Sequence, residues 1–295
     1  MNIIIIIYLM ILGHHVYTKY GFETCASYAH SNGAKIFQIF LGSPQSFSPF
    51  SVNPKSIIKL KEECVKYDIL NVIHGSFLIN LCKSLTDNIC QKAIRRLSED
   101  LNNSVILNSL GVVIHMGHNT CDISDDMALN NYISNLKYVL RHSNKKSTII
   151  LETGAGQGHE VGTSLYELGF IRKSLNQSER RRVKFCLDTC HMFAHGYDLS
   201  EPEYIDLLES YIDLKLGWKN VVLVHLNDSK TPIGKKVDRH ADIGKGYISK
   251  EGIIHFVKLC IRKDIPMVLE TPTEEYNEKR LTSKKQIELI GKWLR

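Results

Sequence analysis

The apolar run VKFCL stops at Asp188, and His191 follows three residues later, within FCLDTCHMFAHGYDL. The same punctuation recurs along the chain. The runs ILNVIH, GVVIHM, STIILE, NVVLVHL and IPMVLE end on or beside His74, His115, Glu152, His225 and Glu270. An aspartate at the mouth of a strand is an ordinary helix N-cap, because its oxygen accepts orphan backbone N–H groups. Capping accounts for one or two carboxylates and for none of the histidines. Two further residues, Asp238 and His240 in KKVDRHADIGKG, have a D-x-H spacing that projects both side chains to one side of an extended stretch.

Together these are five histidines and four carboxylates, with no cysteine among them. Imidazole with carboxylate suits zinc, with manganese and iron as alternatives. Calcium and magnesium favour all-oxygen shells and fit less well. Nine donors exceed the needs of one tetrahedral ion, so shared carboxylates would hold two or three. Without cations, carboxylates packed this closely would raise one another's pKa values, and metal relieves that repulsion. Two ions about 3.5–4 Å apart can clamp a phosphate during in-line displacement. Of the other histidines, His15 opens the loop after the first apolar run and would face the same crevice. His14, His30, His118, His142, His159, His195 and His255 read as surface or packing residues.

Something must hold these groups together. Candidate strands are 3–12, 35–41, 69–74, 111–116, 147–152, 183–188, 220–226 and 265–270. Segments of helical period fill the gaps at 18–32, 54–67, 87–109, 125–143, 163–176, 200–216, 250–262 and 282–294. Continuous apolar strands are buried on both faces, as in a parallel sheet. Eight strand–helix pairs in this length predict a (β/α)8 TIM barrel, an α/β fold whose catalytic groups sit at the C-terminal ends of the strands. A doubly wound open sheet is the alternative, but no GxGxxG follows the first strand. No low-complexity linker interrupts the chain, so one domain spanning 1–295 is expected.

The 295 residues are 43% hydrophobic, enough for a core without disulfide staples. The eight cysteines form no CxxC pair and read as reduced, in a cytoplasmic or nuclear setting rather than a secreted one. The net charge of +6 is a mild bias toward polyanionic partners. The basic clusters 180–184, 235–239 and 279–285 each read as solvated faces. The opening MNIIIIIYLMILGHH lacks a basic leader and a small-residue cleavage site, and is too short to span a bilayer. It reads as a buried first strand, with no membrane partner.

Taken together, FCLDTCHMFAHGYDL, VHLNDSK, DRHADIGKG and VLETP resemble the signature segments of the endonuclease IV family of apurinic/apyrimidinic endonucleases. VIHGSFLINL and VIHMGH resemble its third- and fourth-strand segments, and the match runs from about Gly13 to near the C-terminus. The resemblance implies a trinuclear zinc enzyme. His74, His115 and Glu152 would bind the first zinc. Glu152 would bridge to a second, held also by Asp188, His225 and Glu270. His191, Asp238 and His240 would bind the third. The implied reaction is hydrolysis of the phosphodiester 5′ to an abasic site in double-stranded DNA, leaving a 3′-hydroxyl and a 5′-deoxyribose phosphate. Trimming of blocked 3′ ends and nicking beside oxidised bases occur among relatives.

The resemblance also implies DNA contacts. Phe77 and Leu78 match wedge positions that enter the gap left by a flipped nucleotide. Gln45 stands where many relatives carry arginine, which removes a charge from the DNA-binding face. Arg239 matches a phosphate-contacting position, and Gly244 and Gly246 would let the backbone approach DNA. A monomer acting inside the cell is expected, and the frequent Ile, Asn and Lys fit an AT-rich genome, of viral kind among others. Two rivals stand beside this reading. A metal-dependent sugar isomerase or epimerase of similar barrel fold needs fewer donors and no wedge loop. A protein that binds abasic DNA without cutting it has no use for the full donor set.

Overall fold

The apolar runs form short strands with both faces covered. The computed structural model describes residues 9–48, 53–271 and 280–295. Its strands β1 (Leu12–His15), β2 (Ile36–Phe40), β3 (Leu70–His74), β4 (Val112–Ile114), β5 (Ile149–Glu152), β6 (Val183–Asp188), β7 (Val221–His225) and β10 (Met267–Leu269) are parallel and close into a barrel. The order round the barrel is β1-β10-β7-β6-β5-β4-β3-β2, with β2 pairing back to β1. Two short strands, β8 (Asp228–Ser229) and β9 (His240–Ala241), pair antiparallel in the loop after β7.

Around the barrel run α1 (Cys25–Ser31), α2 (Pro54–Lys66), α3 (Asn88–Leu107), α4 (Asp125–His142), α5 (Leu165–Lys173), α6 (Gln177–Arg181), α7 (Thr189–His195), α8 (Pro202–Lys215), α9 (Lys250–Arg262) and α10 (Ser283–Trp293). Their starts follow from capping chemistry. Asp87, Ser124, Ser249 and Thr282 each accept a backbone N–H in the first turn of α3, α4, α9 and α10. Ser164 and Asn176 form reciprocal capping boxes with Glu167 and Glu179. No helix among the described residues is long and apolar enough to cross a membrane.

Side chains alternate across a strand with period two. One set, including Phe37, Ile73, Val112, Ile149, Phe185 and Val224, joins the large cluster that the helices cover. The other set forms a separate, fully buried cluster of Ile36, Val72, Val113, Ile150, Cys186, Leu223 and Val268, one residue from each of seven strands. That layer plugs the barrel. On β1 the corresponding position is Gly13, where a Cβ would lie 1.5 Å from the Ile36 carbonyl oxygen, so only glycine lets the two strands approach.

The eight barrel strands and the long helices between them follow the order read from the sequence, whereas the short helices α6 and α7 and the strands β8 and β9 were not expected, and three boundaries stand out. The first strand lies at Leu12–His15 rather than 3–12, because its register is set by Leu12 pairing with Met267 and His14 with Phe37. Residues 3–8 lie outside the described residues. His15 is therefore the last residue of β1 and not a loop residue. The segment 18–32 begins with two 3-10 turns, separated by Gly21 at φ +107°, before α1 starts at Cys25. The helix expected at 163–176 is α5 at Leu165–Lys173, and α6 at Gln177–Arg181 is a separate short helix beyond that range. All eight cysteines are free thiols, and only Cys121 is exposed.

Candidate metal centre

Counting two residues on from each member of the apolar plug reaches Gln38, His74, His115, Glu152, Asp188, His225 and Glu270. The period of two therefore aims all seven the same way, into the C-terminal mouth of the barrel. Gln38, His74, Glu152, Asp188 and His225 are buried, while His115 and Glu270 line the opening. The remaining three candidates come from segments beyond the strands. His191 is carried by α7, and Asp238 and His240 by the loop that β8 and β9 pin across the mouth.

That loop is anchored by Asp228, whose carboxylate accepts the backbone N–H groups of Ser229, Gly244, Gly246 and Ile248. A Cβ at Gly246 would meet the Asp228 carboxylate at 2.3 Å, and one at Gly244 would meet the Trp293 ring at 2.7 Å. These glycines thus serve the loop's own packing.

All nine predicted ligand residues converge. Donor atoms fall into groups lying within 4.8 Å of one another: His74, His115 and Glu152; Glu152, Asp188, His225 and Glu270; and His191, Asp238 and His240. Glu152 belongs to two of them. Its Oε2 lies 3.5 Å from His74 Nε2 and 3.7 Å from His115 Nε2, and its Oε1 lies 2.9 Å from His225 Nδ1. Asp238 Oδ1 sits 3.2 Å from Nε2 of both His191 and His240. Asp188 both caps and converges. Its Oδ1 accepts the His191 backbone N–H at 2.8 Å, while Oδ2 lies 3.6 Å from His240 Nε2.

The cluster leaves polar atoms unsatisfied. His74 Nε2, Glu152 Oε2, His191 Nε2 and His240 Nε2 are buried without an aligned hydrogen bond. Such atoms are rare inside proteins unless a ligand meets them. The opposite ring nitrogens are held. His74 Nδ1 and His191 Nδ1 donate to the carbonyls of Gly75 and Thr153, each at 2.8 Å, which turns Nε2 inward. Electrostatics give the same picture. Burial opposes ionisation of Glu152, yet the imidazoles of His115 and His225 together hold its carboxyl well below the usual range. Burial, ahead of the repulsion from Glu152 and Glu270, raises Asp188. Burial lowers both His191 and His225, yet each is held well above the ordinary imidazole value, His191 by Asp188, Asp238 and Glu152, and His225 by the buried Cys186 beside it together with Glu270 and Glu152. A set of acids and imidazoles that can be neutralised only by taking up protons is a set that divalent cations would also neutralise.

Three residues at the centre were not singled out from the sequence. Asn227 donates to Asp188 Oδ2 at 2.7 Å and to Glu270 Oε2 at 3.2 Å. Cys190 groups with Asp188 and His240, but its thiol points at the Arg239 carbonyl at 3.6 Å, and burial beside Asp188 pushes its pKa up to about 12. Gln38 interrupts the apolar run KIFQIFL, and that interruption was the available signal.

The four residues assigned to DNA divide. Phe77 and Leu78 are 52% and 37% exposed and, with Phe47, Asn80, His115 and Asp238, line a 670 Å³ cavity beside the cluster. The Phe77 ring lies 5.6 Å from His74 and 5.4 Å from His115, so it also roofs two ligand candidates. Gln45 and Arg239 are exposed. Arg239 Nη1 turns back on the Asp238 carbonyl at 2.7 Å.

Residues 26–295 match a family model described as a xylose isomerase-like TIM barrel. A protein of Acanthamoeba polyphaga mimivirus named as an endonuclease 4 is 35% identical over 291 residues, covering 96% of this chain and 93% of that protein. The crystal structure of endonuclease IV from Thermus thermophilus superposes with a TM-score of 0.80 at 27% identity, covering 96% of this chain and 98% of the other. A D-tagatose 3-epimerase-like protein shares the fold, with a TM-score of 0.69 at 17% identity over 96% of this chain and 97% of the other. Nearly full-length identity at this level, on a barrel with this mouth, is decisive: the chain belongs to the endonuclease IV family.

Proposed function

We propose that the protein is a zinc-dependent endonuclease that cuts the phosphodiester 5′ to an abasic site in double-stranded DNA. The observation that carries the reading is the convergence of nine His, Asp and Glu side chains in three donor groups, with buried donor atoms left unsatisfied. His74, His115 and Glu152 would hold one ion, Glu152, Asp188, His225 and Glu270 a second, and His191, Asp238 and His240 a third. Bound there, zinc supplies Lewis acidity toward a phosphate oxygen and lowers the pKa of water.

The chain's own residues do the rest. Glu152, at the junction of two groups, orients the water that attacks phosphorus. The P–O3′ bond breaks, leaving a 3′-hydroxyl and a 5′-deoxyribose phosphate. Phe77 and Leu78, exposed beside the cluster, fill the gap left when the abasic nucleotide turns out of the stack. Gln45 and Arg239 face the DNA backbone from the flanking loops. The chain acts as a monomer inside the cell, cytoplasm or nucleus.

The test is incubation of the purified protein with an end-labelled duplex carrying one abasic site. A single nick 5′ to the site, with a 3′-hydroxyl that a polymerase extends, supports the proposal. Affinity for that duplex should fall steeply with salt, as phosphate contacts require. Epimerisation of a ketose without nicking would favour the sugar-isomerase alternative. The separate His191, Asp238 and His240 group argues against that alternative, since such enzymes need only one or two ions.

A further inference from the structure

Gln38 is the one residue in the inward ligand layer on β2 to β10 that is neither imidazole nor carboxylate. It is completely buried and uses its whole amide. Nε2 lies 2.8 Å from Glu270 Oε1 and 3.3 Å from His15 Nδ1, and Oε1 lies 2.8 Å from His225 Nε2.

These contacts fix the direction of every hydrogen. An ionised carboxylate accepts and never donates, so the amide nitrogen must be the atom facing Glu270. The amide oxygen then faces His225. An amide oxygen also only accepts, so Nε2 of His225 must carry a hydrogen. The lone pair of that ring in its neutral form is left on Nδ1, which lies 2.9 Å from Glu152 Oε1, 3.1 Å from Glu270 Oε2 and 3.9 Å from Asp188 Oδ2. His74 and His191 do the opposite. Backbone carbonyls take their Nδ1 hydrogens and leave Nε2 facing the cluster. His225 alone of these three presents Nδ1, and its outer nitrogen meets a side chain instead of a carbonyl.

We propose that Gln38 is a positioning residue that commits His225 to its Nδ1 atom as a metal donor and holds one oxygen of Glu270, so that the centre shared by Glu152, Asp188, His225 and Glu270 is preset by an amide from β2. The proposal rests on the metal-centre reading above, and the experiment separates the two. Partners that orient a metal-binding imidazole typically matter by about 10–100-fold in affinity.

The experiment uses the full chain and zinc alone. Zinc stoichiometry is measured by elemental analysis, and affinity by competition with a chromophoric chelator. The protonated nitrogen of His225 is read from two-bond 1H–15N imidazole correlations on the zinc-loaded protein. Wild type, Gln38→Met and Gln38→Glu are compared. Methionine keeps the volume and removes both hydrogen bonds. Glutamate keeps the acceptor opposite His225 and loses the donor to Glu270. The wild type should bind zinc and show hydrogen on His225 Nε2. Gln38→Met should weaken the most loosely held zinc by about 10–100-fold and lose the protected Nε2–H signal. Gln38→Glu should keep that signal while also binding zinc more weakly, because two carboxylates then face each other. Wild-type affinity together with an unchanged His225 signal in Gln38→Met would overturn the proposal, as would loss of the signal in Gln38→Glu. A wild-type chain that takes up no zinc would overturn the metal reading itself, and this proposal with it.

Discussion

His225 Nδ1 lies 2.9 Å from Oε1 of Glu152, and both side chains are buried. The other oxygen of the same carboxylate faces His74 and His115. Among the described residues, Glu152 is thus the only candidate ligand shared by two donor groups that also touches both through separate oxygens. Glu152→Gln preserves its shape and removes its charge. The variant should melt within a few degrees of wild type, yet cleave an abasic duplex about 100-fold or more slowly, equivalent to ~2.7 kcal/mol of transition-state stabilisation. Near-normal cleavage would remove Glu152 from its central role.

Phe77 packs edge-on against Phe40 at 5.2 Å as well as against His74 and His115. Half of it remains exposed to the cavity. The side chain therefore has one face on the candidate ligands His74 and His115 and another open to the cavity, where the proposed wedge role would place DNA. Phe77→Ala should weaken binding to an abasic duplex about 10-fold, the scale of one lost aromatic–base contact, while zinc content per chain stays at the wild-type value. Wild-type affinity for the abasic duplex in Phe77→Ala would show that Phe77 is no wedge.

Arg96, in α3, is fully buried and holds the loop after β2. Nη1 donates to the carbonyls of Ser46 and Ser48, Nη2 to that of Leu41, and Nε to both oxygens of Asp100. Removing the guanidinium alone strands a buried carboxylate. Arg96→Met should destabilise the fold by about 3–5 kcal/mol in urea unfolding, whereas Arg96→Met combined with Asp100→Leu should recover most of that loss. The double variant should still bind abasic DNA less tightly, because the loop bearing Gln45 and Phe47 has lost its anchor. Full recovery of both properties would show that this loop does not contribute to binding.

Much of this was legible in the sequence, and for a definable reason. Strand ends at His74, Glu152, Asp188 and His225 are marked by an abrupt change from apolar to chelating side chains, so the ring could be read without knowing the barrel's closure. Asp238 and His240 were legible through their spacing. Gln38 was marked only by its break in the apolar run KIFQIFL, and what it does appears when β2 is set in register with β3 and the period of two is followed round the barrel. Asn227 was hidden likewise, since its role is to join Asp188 to Glu270 across strands that are distant in sequence. At the first strand the isoleucine run, which lies outside the described residues, is more apolar than LGHH, whereas it is LGHH that pairs with Met267 and Phe37.

If the barrel mouth holds divalent cations against a DNA phosphate, as proposed, metal content and cleavage must be lost and regained together. The most direct test is elemental analysis of the freshly purified protein, followed by abasic-duplex cleavage before and after exhaustive chelation and after zinc is restored. Tightly bound transition metal, loss of cleavage on its removal, and recovery with zinc are expected. Protein that carries no transition metal and still nicks fully in the presence of strong chelators would contradict the proposal.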